Sequence, residues 1–422
     1  MTDTARHAAI DLSFLSEPEW IRDPYPLYDE LRRREGVPFD SFYGIHVVAS
    51  YAEVSQLLRD PRCSSRRGGV DDGGLWDVSR LPGPARELAT EIHAVFRKNL
   101  LVQDPPCHTA MRRRIGEGFT RRAVQGLEST VVDLCDELLR PSAASEGEIE
   151  VVEEFASRLP IMVIAAMLGL PRDDLPQLVS WSDALSAFKD PDPARPERHV
   201  AAIEGLADFT GYLRALVHER AASPPRNDPL QALLDVTDLE DDERTEELVA
   251  NLAGIIVGGQ ETAANLLSAL FSCFAREPEQ YSRLRHDPAL VEPAVEEVLR
   301  FESPVQWLIR TATEPVQIGN AVVEEGANLG LFLGSANRDP LEFRHPERLD
   351  LARTPNQHLA FGMGRHLCVG APLARLEGRT ATRWLVEHCA RIQVDTEQVR
   401  WNDSFAFRGL GRLPARLELR SP

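Results

Sequence analysis

The sequence has no long apolar run. Its longest apolar stretches are Ile161–Leu170 and Leu248–Gly259, the second interrupted by Asn251, and both fall short of the ~20 residues that a membrane-spanning helix needs. The first residues also lack the basic segment followed by an apolar one that marks a secretory signal. We therefore expect a water-soluble protein of the cytoplasm.

Positive charge is scarce in this chain of 422 residues. Its 47 lysines and arginines are outnumbered by 66 aspartates and glutamates, which gives a formal net charge of −19. This surplus of negative charge argues against nucleic acid or an anionic membrane as the main partner, and we interpret it as a source of solubility. The composition, with 43% hydrophobic and 27% charged residues, is that of an ordinary globular protein.

Motifs for paired metal ligands and for nucleotides are missing. None of the cysteines forms a CxxC pair, which excludes the usual zinc-ribbon and redox-dithiol spacings and predicts reduced, mostly buried thiols. No GxGxxG or P-loop pattern occurs, so the chain is not expected to hold a nicotinamide or flavin of its own. The six cysteines are Cys63, Cys107, Cys135, Cys273, Cys368 and Cys389.

Helical periodicity dominates the middle of the chain, from Ala85 to Arg276. The longest helix is predicted from Asp242 to about Phe274, which at 1.5 Å per residue is roughly 50 Å. A final helix is predicted at Ala371–Cys389. Short β-like segments lie between these helices, at Glu314–Ile318, Ala321–Val323 and Asn328–Leu333. Without a repeat or a Gly/Ser linker, the sequence predicts one domain over residues 1–422, mainly α with small β-sheets.

The segment Phe361–Gly370, FGMGRHLCVG, combines a cysteine with three glycines. Such glycines indicate tight turns or a close approach of the backbone to another group. A helix follows at once with Pro372 in its first turn, so Cys368 lies at a helix N-terminus, where the dipole favours a thiolate. Because no second cysteine or histidine has metal-ligand spacing, this cysteine suits an axial ligand to haem and not a tetrahedral zinc site.

Three glycines also interrupt the apolar helix segment Gly254–Ala263, GIIVGGQETA. Each costs roughly 1 kcal/mol relative to alanine inside a helix, so Gly258 and Gly259 indicate a need for space or a local distortion. Beside them lie an acid and an alcohol, Glu261 and Thr262, which can relay protons where water is largely excluded. The alternative is a kinked core helix.

Both segments resemble motifs of the cytochrome P450 family: the first its haem-binding loop, the second its central-helix motif. The resemblance runs from about Asp23 to Leu410 with the motifs in the expected order. It implies the single-domain P450 fold, a helical bundle around haem b with a long central helix and a β-rich minor region. Departures are Gly258, where the family more often has alanine, and Cys107, where it often has an acid.

The resemblance assigns roles at the haem. Cys368 would bind the iron, Phe361 would pack beside the thiolate, Gly364 would allow the turn, and Gly370 would let the backbone pass close to the haem. The haem propionates would be held by His108, Arg112, Arg310 and His366.

Other roles follow from the same resemblance. Gly258 and Gly259 would make room for dioxygen, Thr262 would hydrogen-bond it, and Glu261 would help to deliver protons. A buried structural network would support the cysteine loop and consist of Glu297, Arg300 and Arg348. Substrate-facing candidates are Leu185, Phe188, Ala253, Val257, Val305, Trp307, Leu308 and Phe407, together with the loop Arg66–Asp77. Because these are mainly apolar, we expect a sizeable hydrophobic substrate.

Three functions remain open. The first is a monooxygenase that tailors a secondary metabolite such as a polyketide, terpenoid or peptide. The second uses the same haem for coupling, decarboxylation or nitric-oxide reduction, and the third is a non-catalytic recruiter, against which the Glu261–Thr262 pair weighs. Electrons would come to this monomer from a ferredoxin or flavodoxin and its NAD(P)H reductase. The partner would dock on a basic patch formed by Arg113, Arg114, Arg365, Arg375 and Arg379.

Overall fold

A computed structural model describes residues 9–66, 83–189, 196–226 and 228–420. This part of the chain is mainly helical, as predicted. The helices are α1 Pro18–Arg22, α2 Tyr25–Arg33, α3 Tyr51–Leu57, α4 Gly83–Phe96, α5 Cys107–Gly118, α6 Arg121–Gly126, α7 Glu128–Leu139, α8 Arg158–Leu168, α9 Leu175–Lys189, α10 Pro196–Ala222, α11 Pro229–Asp235, α12 Asp242–Arg276, α13 Pro278–His286, α14 Val291–Phe301, α15 Leu333–Ala336 and α16 Ala371–His388.

Short strands form small sheets. The largest has six strands in the order β1-β2-β3-β9-β6-β4, in which β9 pairs parallel with β3 and antiparallel with β6. A three-stranded sheet has the order β10-β13-β5, and two hairpin-like pairs complete the set. The strands are β1 Ala9–Ile10, β2 Phe39–Asp40, β3 Ile45–Val48, β4 Cys63–Ser64, β5 Glu148–Glu150, β6 Leu308–Ala312, β7 Val316–Ile318, β8 Ala321–Val323, β9 Asn328–Leu331, β10 Cys389–Val394, β11 Arg400–Trp401, β12 Leu410–Arg412 and β13 Pro414–Leu419.

The backbone forms two compact units. One consists of Met1–Ser65, Cys135–Arg158 and Thr262–Pro422, and the other of Arg66–Leu134 and Leu159–Glu261. All of the strands above belong to the first unit, where the six-stranded sheet covers an apolar core that includes Val54, Leu329 and Leu331. The regular elements described in the second unit are all helices, and α9 packs along α10 within it. That one P450 domain occupies residues 1–422 stays a prediction.

The predicted long helix is confirmed. α12 has 35 residues and is therefore about 52 Å long. It is α-helical throughout, so the glycines at 258 and 259 produce no break in it. Within the residues that the structure describes, no helix combines the length and apolarity needed to cross a bilayer.

Two features differ from the predicted elements. Within the stretch Ala85–Arg276, where helical periodicity dominates, residues Val151–Leu168 are not one helix, because Val151–Ala156 are π-helical and α8 begins only at Arg158. Strand β6 was not predicted, although it pairs with β9 and β4 inside the largest sheet. The predicted substrate loop Arg66–Asp77 lies, except for Arg66, outside the described residues.

Candidate active site

The loop that carries Cys368 is fixed by its own backbone. The Cys368 N–H donates to the Phe361 carbonyl at 2.9 Å, and the Leu367 N–H donates to the Gly364 carbonyl at 3.1 Å. Gly362 and Gly364 have φ of +66° and +72°, a region that favours glycine. A Cβ on Gly364 would also lie 2.6 Å from the carbonyl oxygen of Leu58. Gly364 therefore permits the turn, as the sequence predicts.

Cys368 differs from the buried cysteines in its surroundings. Burial raises the pKa of Cys63 to about 11 and that of Cys273 to about 12, so both are neutral thiols at physiological pH. Cys368 is instead exposed, and α16 begins three residues after it. An accessible sulfur at the N-terminus of an 18-residue helix is in a field that favours its thiolate form.

The helix α12 contains one glycine with space beside it. A Cβ on Gly258 would meet nothing within 4 Å, although the neighbouring Val257 is 1% exposed. A Cβ on Gly259 would lie 2.7 Å from Cδ1 of Ile164, and one on Gly254 would lie 2.2 Å from the Asn99 amide nitrogen. Gly259 thus packs closely against Ile164, and its role in making room for dioxygen stays a prediction. Of the three glycines, Gly258 is the one with open space where a Cβ would lie.

These observations fit a thiolate-ligated haem. Cys368 is exposed on its loop, and the position beside Gly258, which is itself exposed on α12, is open. Glu261 and Thr262 follow Gly258 by three and four residues, which places both on the helix face that carries Gly258. Both side chains are half-buried. Their proton-relay roles stay predictions.

The four side chains predicted to hold the propionates are at least partly shielded from solvent. On α5, His108 is 2% exposed and Arg112 is half-buried, and their i, i+4 spacing places them on one helix face. Arg310 in β6 and His366 in the cysteine loop are also half-buried. Their contact with a propionate stays a prediction.

A buried ion pair joins Glu297 to Arg300, as predicted. Two hydrogen bonds of 2.8 Å connect the side chains, and both are 0% exposed. The third member of this network is Arg353, whose Nε lies 2.9 Å from the Glu297 carboxylate. The prediction of Arg348 is wrong: its side chain is 74% exposed, and only its carbonyl takes part, accepting from Arg300 at 3.2 Å.

The predicted substrate residues divide into three groups. Val305 and Phe407 form an antiparallel bridge and are half-buried, as is Leu308 at the start of β6. Trp307 packs instead in an aromatic cluster, stacked on Phe332 with ring centroids 5.8 Å apart, so we assign it to the core. The remaining described candidates are fully buried, namely Leu185, Ala253 and Val257. The side chain of Phe188 is not among those that the structure describes.

Asn251 has a structural role that its sequence context did not reveal. Its side-chain oxygen accepts the Leu100 N–H at 2.9 Å, while the Asn99 amide donates to the Ala250 carbonyl at 2.8 Å. The two asparagines thereby attach the turn Leu100–Val102 to α12. The interruption of an apolar run by a polar residue was the available signal.

A comparison with family models decides the family. The cytochrome P450 model matches residues 83–419, which is most of the chain. This chain belongs to the cytochrome P450 family.

Relatives and solved structures agree with this result over nearly the full length. The P450 is 35% identical to the cytochrome P450 monooxygenase PikC of Streptomyces venezuelae, covering 98% of this chain and 95% of the relative. It is 32% identical to 6-deoxyerythronolide B hydroxylase of Saccharopolyspora erythraea, covering 94% and 96%. The crystal structure of P450BioI with an acyl carrier protein superposes with a TM-score of 0.85 at 29% identity, covering 95% and 100%.

These comparisons confirm the P450 fold and an oxidoreductase of the monooxygenase type. They also support a haem–thiolate cofactor, which the residues at Cys368 and Gly258 fit. The chemistry therefore requires electrons from a redox partner.

The predicted basic patch carries less charge than expected. Arg365 donates to the Asp60 carbonyl at 3.2 Å, and Arg113 is exposed. The other three arginines lie beside carboxylates, Arg114 with Glu247 at 2.7 Å, Arg375 with Glu296 at 2.7 Å and Arg379 with Glu292 at 3.6 Å. Because carboxylates neutralise these three, they add little net positive charge for an acidic partner.

Proposed function

We propose that this P450 contains haem b, with Cys368 as the thiolate ligand, and inserts one oxygen atom of O2 into a hydrophobic small molecule. The observation that carries the proposal is the exposed Cys368 sulfur on a glycine-shaped loop at the start of α16. The substrate is a bacterial secondary metabolite of the polyketide, terpenoid or peptide class.

Two features support this class of substrate. The half-buried candidates Val305, Leu308 and Phe407 are apolar, which suits a sizeable hydrophobic molecule. Among the relatives, one is named a 6-deoxyerythronolide B hydroxylase and another a polyketide biosynthesis cytochrome P450, from Bacillus subtilis. The first name specifies a hydroxylation, and the second specifies the biosynthesis of a polyketide.

The haem, when bound, supplies the redox chemistry that activates dioxygen. The side chains of the protein then have three tasks. The Cys368 thiolate would ligate the iron and donate electron density to it. Gly258 leaves space on α12 for a small molecule. Thr262 holds a proton at its hydroxyl, and Glu261 moves protons through its carboxyl group to the face of the helix that carries Gly258.

Electrons are supplied by a separate ferredoxin or flavodoxin with its NAD(P)H reductase, and the P450 acts as a monomer. The absence of a GxGxxG or P-loop pattern in the sequence supports an external donor.

The ligand assignment is tested by spectroscopy on purified holoprotein. Cys368→Ala should lose the thiolate signature of the reduced carbon-monoxide spectrum. Cys107→Ser is the matched control, because Cys107 is the other exposed cysteine and also lies close to the N-terminus of a helix. It should keep that signature. A variant lacking Cys368 that retained the wild-type spectrum would refute the proposal.

The activity is tested with a panel of apolar metabolites. Binders should shift the ferric spectrum, and product analysis with a ferredoxin system should find one added oxygen atom. Thr262→Ala should reduce the product formed per NAD(P)H consumed while leaving ferric binding unchanged. Coupled or decarboxylated products would favour a different oxidation. Partner-protein binding without turnover of any panel member would favour a recruiter.

A further inference from the structure

Two adjacent glutamates on α14 serve different parts of the chain. Glu297 binds Arg300 and Arg353 and also accepts the Asp350 N–H at 2.9 Å. Glu296, by contrast, is bound by two hydrogen bonds from Arg375 of α16, at 2.7 and 2.8 Å. Its carboxylate therefore connects α14 to the helix that begins at the cysteine loop.

His358 gives Glu296 a second connection to this loop. The Ala360 N–H donates to Nδ1 of His358 at 3.2 Å, which makes Nδ1 an acceptor. The proton of the neutral ring is therefore on Nε2, which donates to the Glu296 carboxylate at 3.1 Å. Arg375 binds the same carboxylate with a permanently charged guanidinium group.

Arg375 extends the connection to Phe361. Its guanidinium carbon lies 4.5 Å from the centroid of the Phe361 ring, within the range of a cation–π contact. The His358 ring is 5.9 Å from the same centroid. Phe361 in turn accepts the Cys368 N–H through its carbonyl. A continuous series of contacts thus leads from Glu296 to the backbone of Cys368.

Glu296 is charged at neutral pH. Burial would raise the pKa of its carboxyl group, but the hydrogen bonds from Arg375 and His358 outweigh burial and lower the pKa to about 2. Glu296 and Arg375 thus form a neutral pair. Removing either side chain would leave the opposite charge behind, next to the loop that carries the sulfur.

We propose that Glu296, His358 and Arg375, here called the Glu296 clamp, are positioning residues that hold Phe361 and set the electrostatic potential at the Cys368 sulfur. This inference rests on the proposed function, because it requires Cys368 to be the haem ligand. The Glu296 clamp thereby controls the haem reduction potential, and this role is separate from the structural role of Glu297.

The sign of the effect distinguishes this role from simple support of the fold. Reduction adds an electron, so an uncompensated guanidinium favours the reduced haem and an uncompensated carboxylate disfavours it. Glu296→Gln should therefore raise the reduction potential, and Arg375→Gln should lower it. The double variant should return towards the wild-type value. Arg375→Lys, which keeps the charge, should stay near the wild type.

The chain offers a matched control pair. Arg379 and Glu292 face each other at 3.6 Å, one turn farther from Cys368 on α16 and one turn earlier on α14. Glu292→Gln and Arg379→Gln make the same charge changes, and their shifts in potential should be clearly smaller. His358→Ala changes no charge. It should mainly increase the share of reduced protein that lacks the thiolate signature with carbon monoxide.

Reduction potentials and reduced carbon-monoxide spectra of the purified holoproteins decide the inference. Shifts of opposite sign for Glu296→Gln and Arg375→Gln, larger than those of the control pair, support it. Shifts of the same sign, or shifts no larger than the controls, overturn it. If the wild type itself lacks the thiolate signature, the proposed function fails instead, so the two failures are distinguishable.

Discussion

The carboxyl group of Glu377 makes a specific pH dependence of stability predictable. Glu377 lies in α16, is 2% exposed, and its Oε2 atom has no hydrogen-bond partner in the described part of the chain. Burial raises the pKa of this group from its ordinary value of 4.5 to about 8. The side chain is therefore a neutral acid in the folded protein at pH 7.

The sign of the effect follows from proton linkage. Above pH 4.5 the unfolded chain releases the proton of Glu377, whereas the folded protein keeps it until about pH 8. The titration of Glu377 therefore costs folding nothing below pH 4.5, and this cost grows by about 1.4 kcal/mol per pH unit up to pH 8. Between pH 5.5 and pH 7.5 the cost increases by about 3 kcal/mol.

The perturbation is Glu377→Gln, which keeps the shape of the side chain and removes its titration. Relative to the wild type, the variant should gain about 3 kcal/mol of stability as the pH rises from 5.5 to 7.5. For a chain of 422 residues, this gain corresponds to about 3 °C. The melting temperature of the variant minus that of the wild type should therefore be about 3 °C larger at pH 7.5 than at pH 5.5.

The assay is thermal unfolding of both holoproteins at matched haem content, followed by far-UV circular dichroism at several pH values. Glu387→Gln is the control, because Glu387 is exposed on the same helix. Its melting temperature should follow that of the wild type at every pH. A difference between Glu377→Gln and the wild type that stayed constant from pH 5.5 to 7.5 would refute the reasoning.

Three further predictions concern the cysteine loop and its supports. Arg353→Ala should destabilise the protein by about 2 kcal/mol in chemical unfolding, because it removes one of the two guanidinium groups that bind the buried Glu297 carboxylate, whereas Arg348→Ala should change stability by less than about 0.5 kcal/mol. Gly364→Ala should lower the haem content of the purified protein, since a Cβ would collide with a backbone carbonyl at a φ of +72°; normal haem content would contradict this account. Arg365→Glu should slow reduction by an acidic ferredoxin more than Arg379→Glu does, because Arg365 lies in the cysteine loop, three residues before Cys368, whereas Arg379 lies eleven residues after it on α16. Equal rates in stopped-flow reduction would contradict it.

The parts of the site that local chemistry determines were predictable from the sequence. The turn at Gly364 requires a backbone conformation that glycine favours, and Pro372 is in the first turn of α16, so a cysteine at a helix N-terminus could be predicted. The length of α12 followed from apolar periodicity, which depends only on the sequence of that helix.

The parts that depend on tertiary contacts were not predictable. Arg348 and Arg353 lie in one irregular segment without periodicity, and only the folded chain places one guanidinium at Glu297 and the other in solvent. Gly258 and Gly259 are chemically identical neighbours, yet Ile164 fills the space beside the second. Strand β6 is half-buried at four consecutive positions, so it has no alternation to detect.

The two glutamates of α14 show why buried charge is useful near a site that binds a cofactor. A buried ion pair contributes little net stability, because desolvation offsets most of the attraction. Its geometry, however, is restrictive: Glu297 accepts from Arg300, Arg353 and the Asp350 backbone in one arrangement. Glu296, one residue earlier, faces a different direction on the helix and binds His358 and Arg375, which lie on either side of the cysteine loop. The two adjacent carboxylates on one rigid helix thus fix the segment around Arg353 and the segment around His358 relative to each other. Apolar contacts have no preferred direction and would fix these segments less specifically.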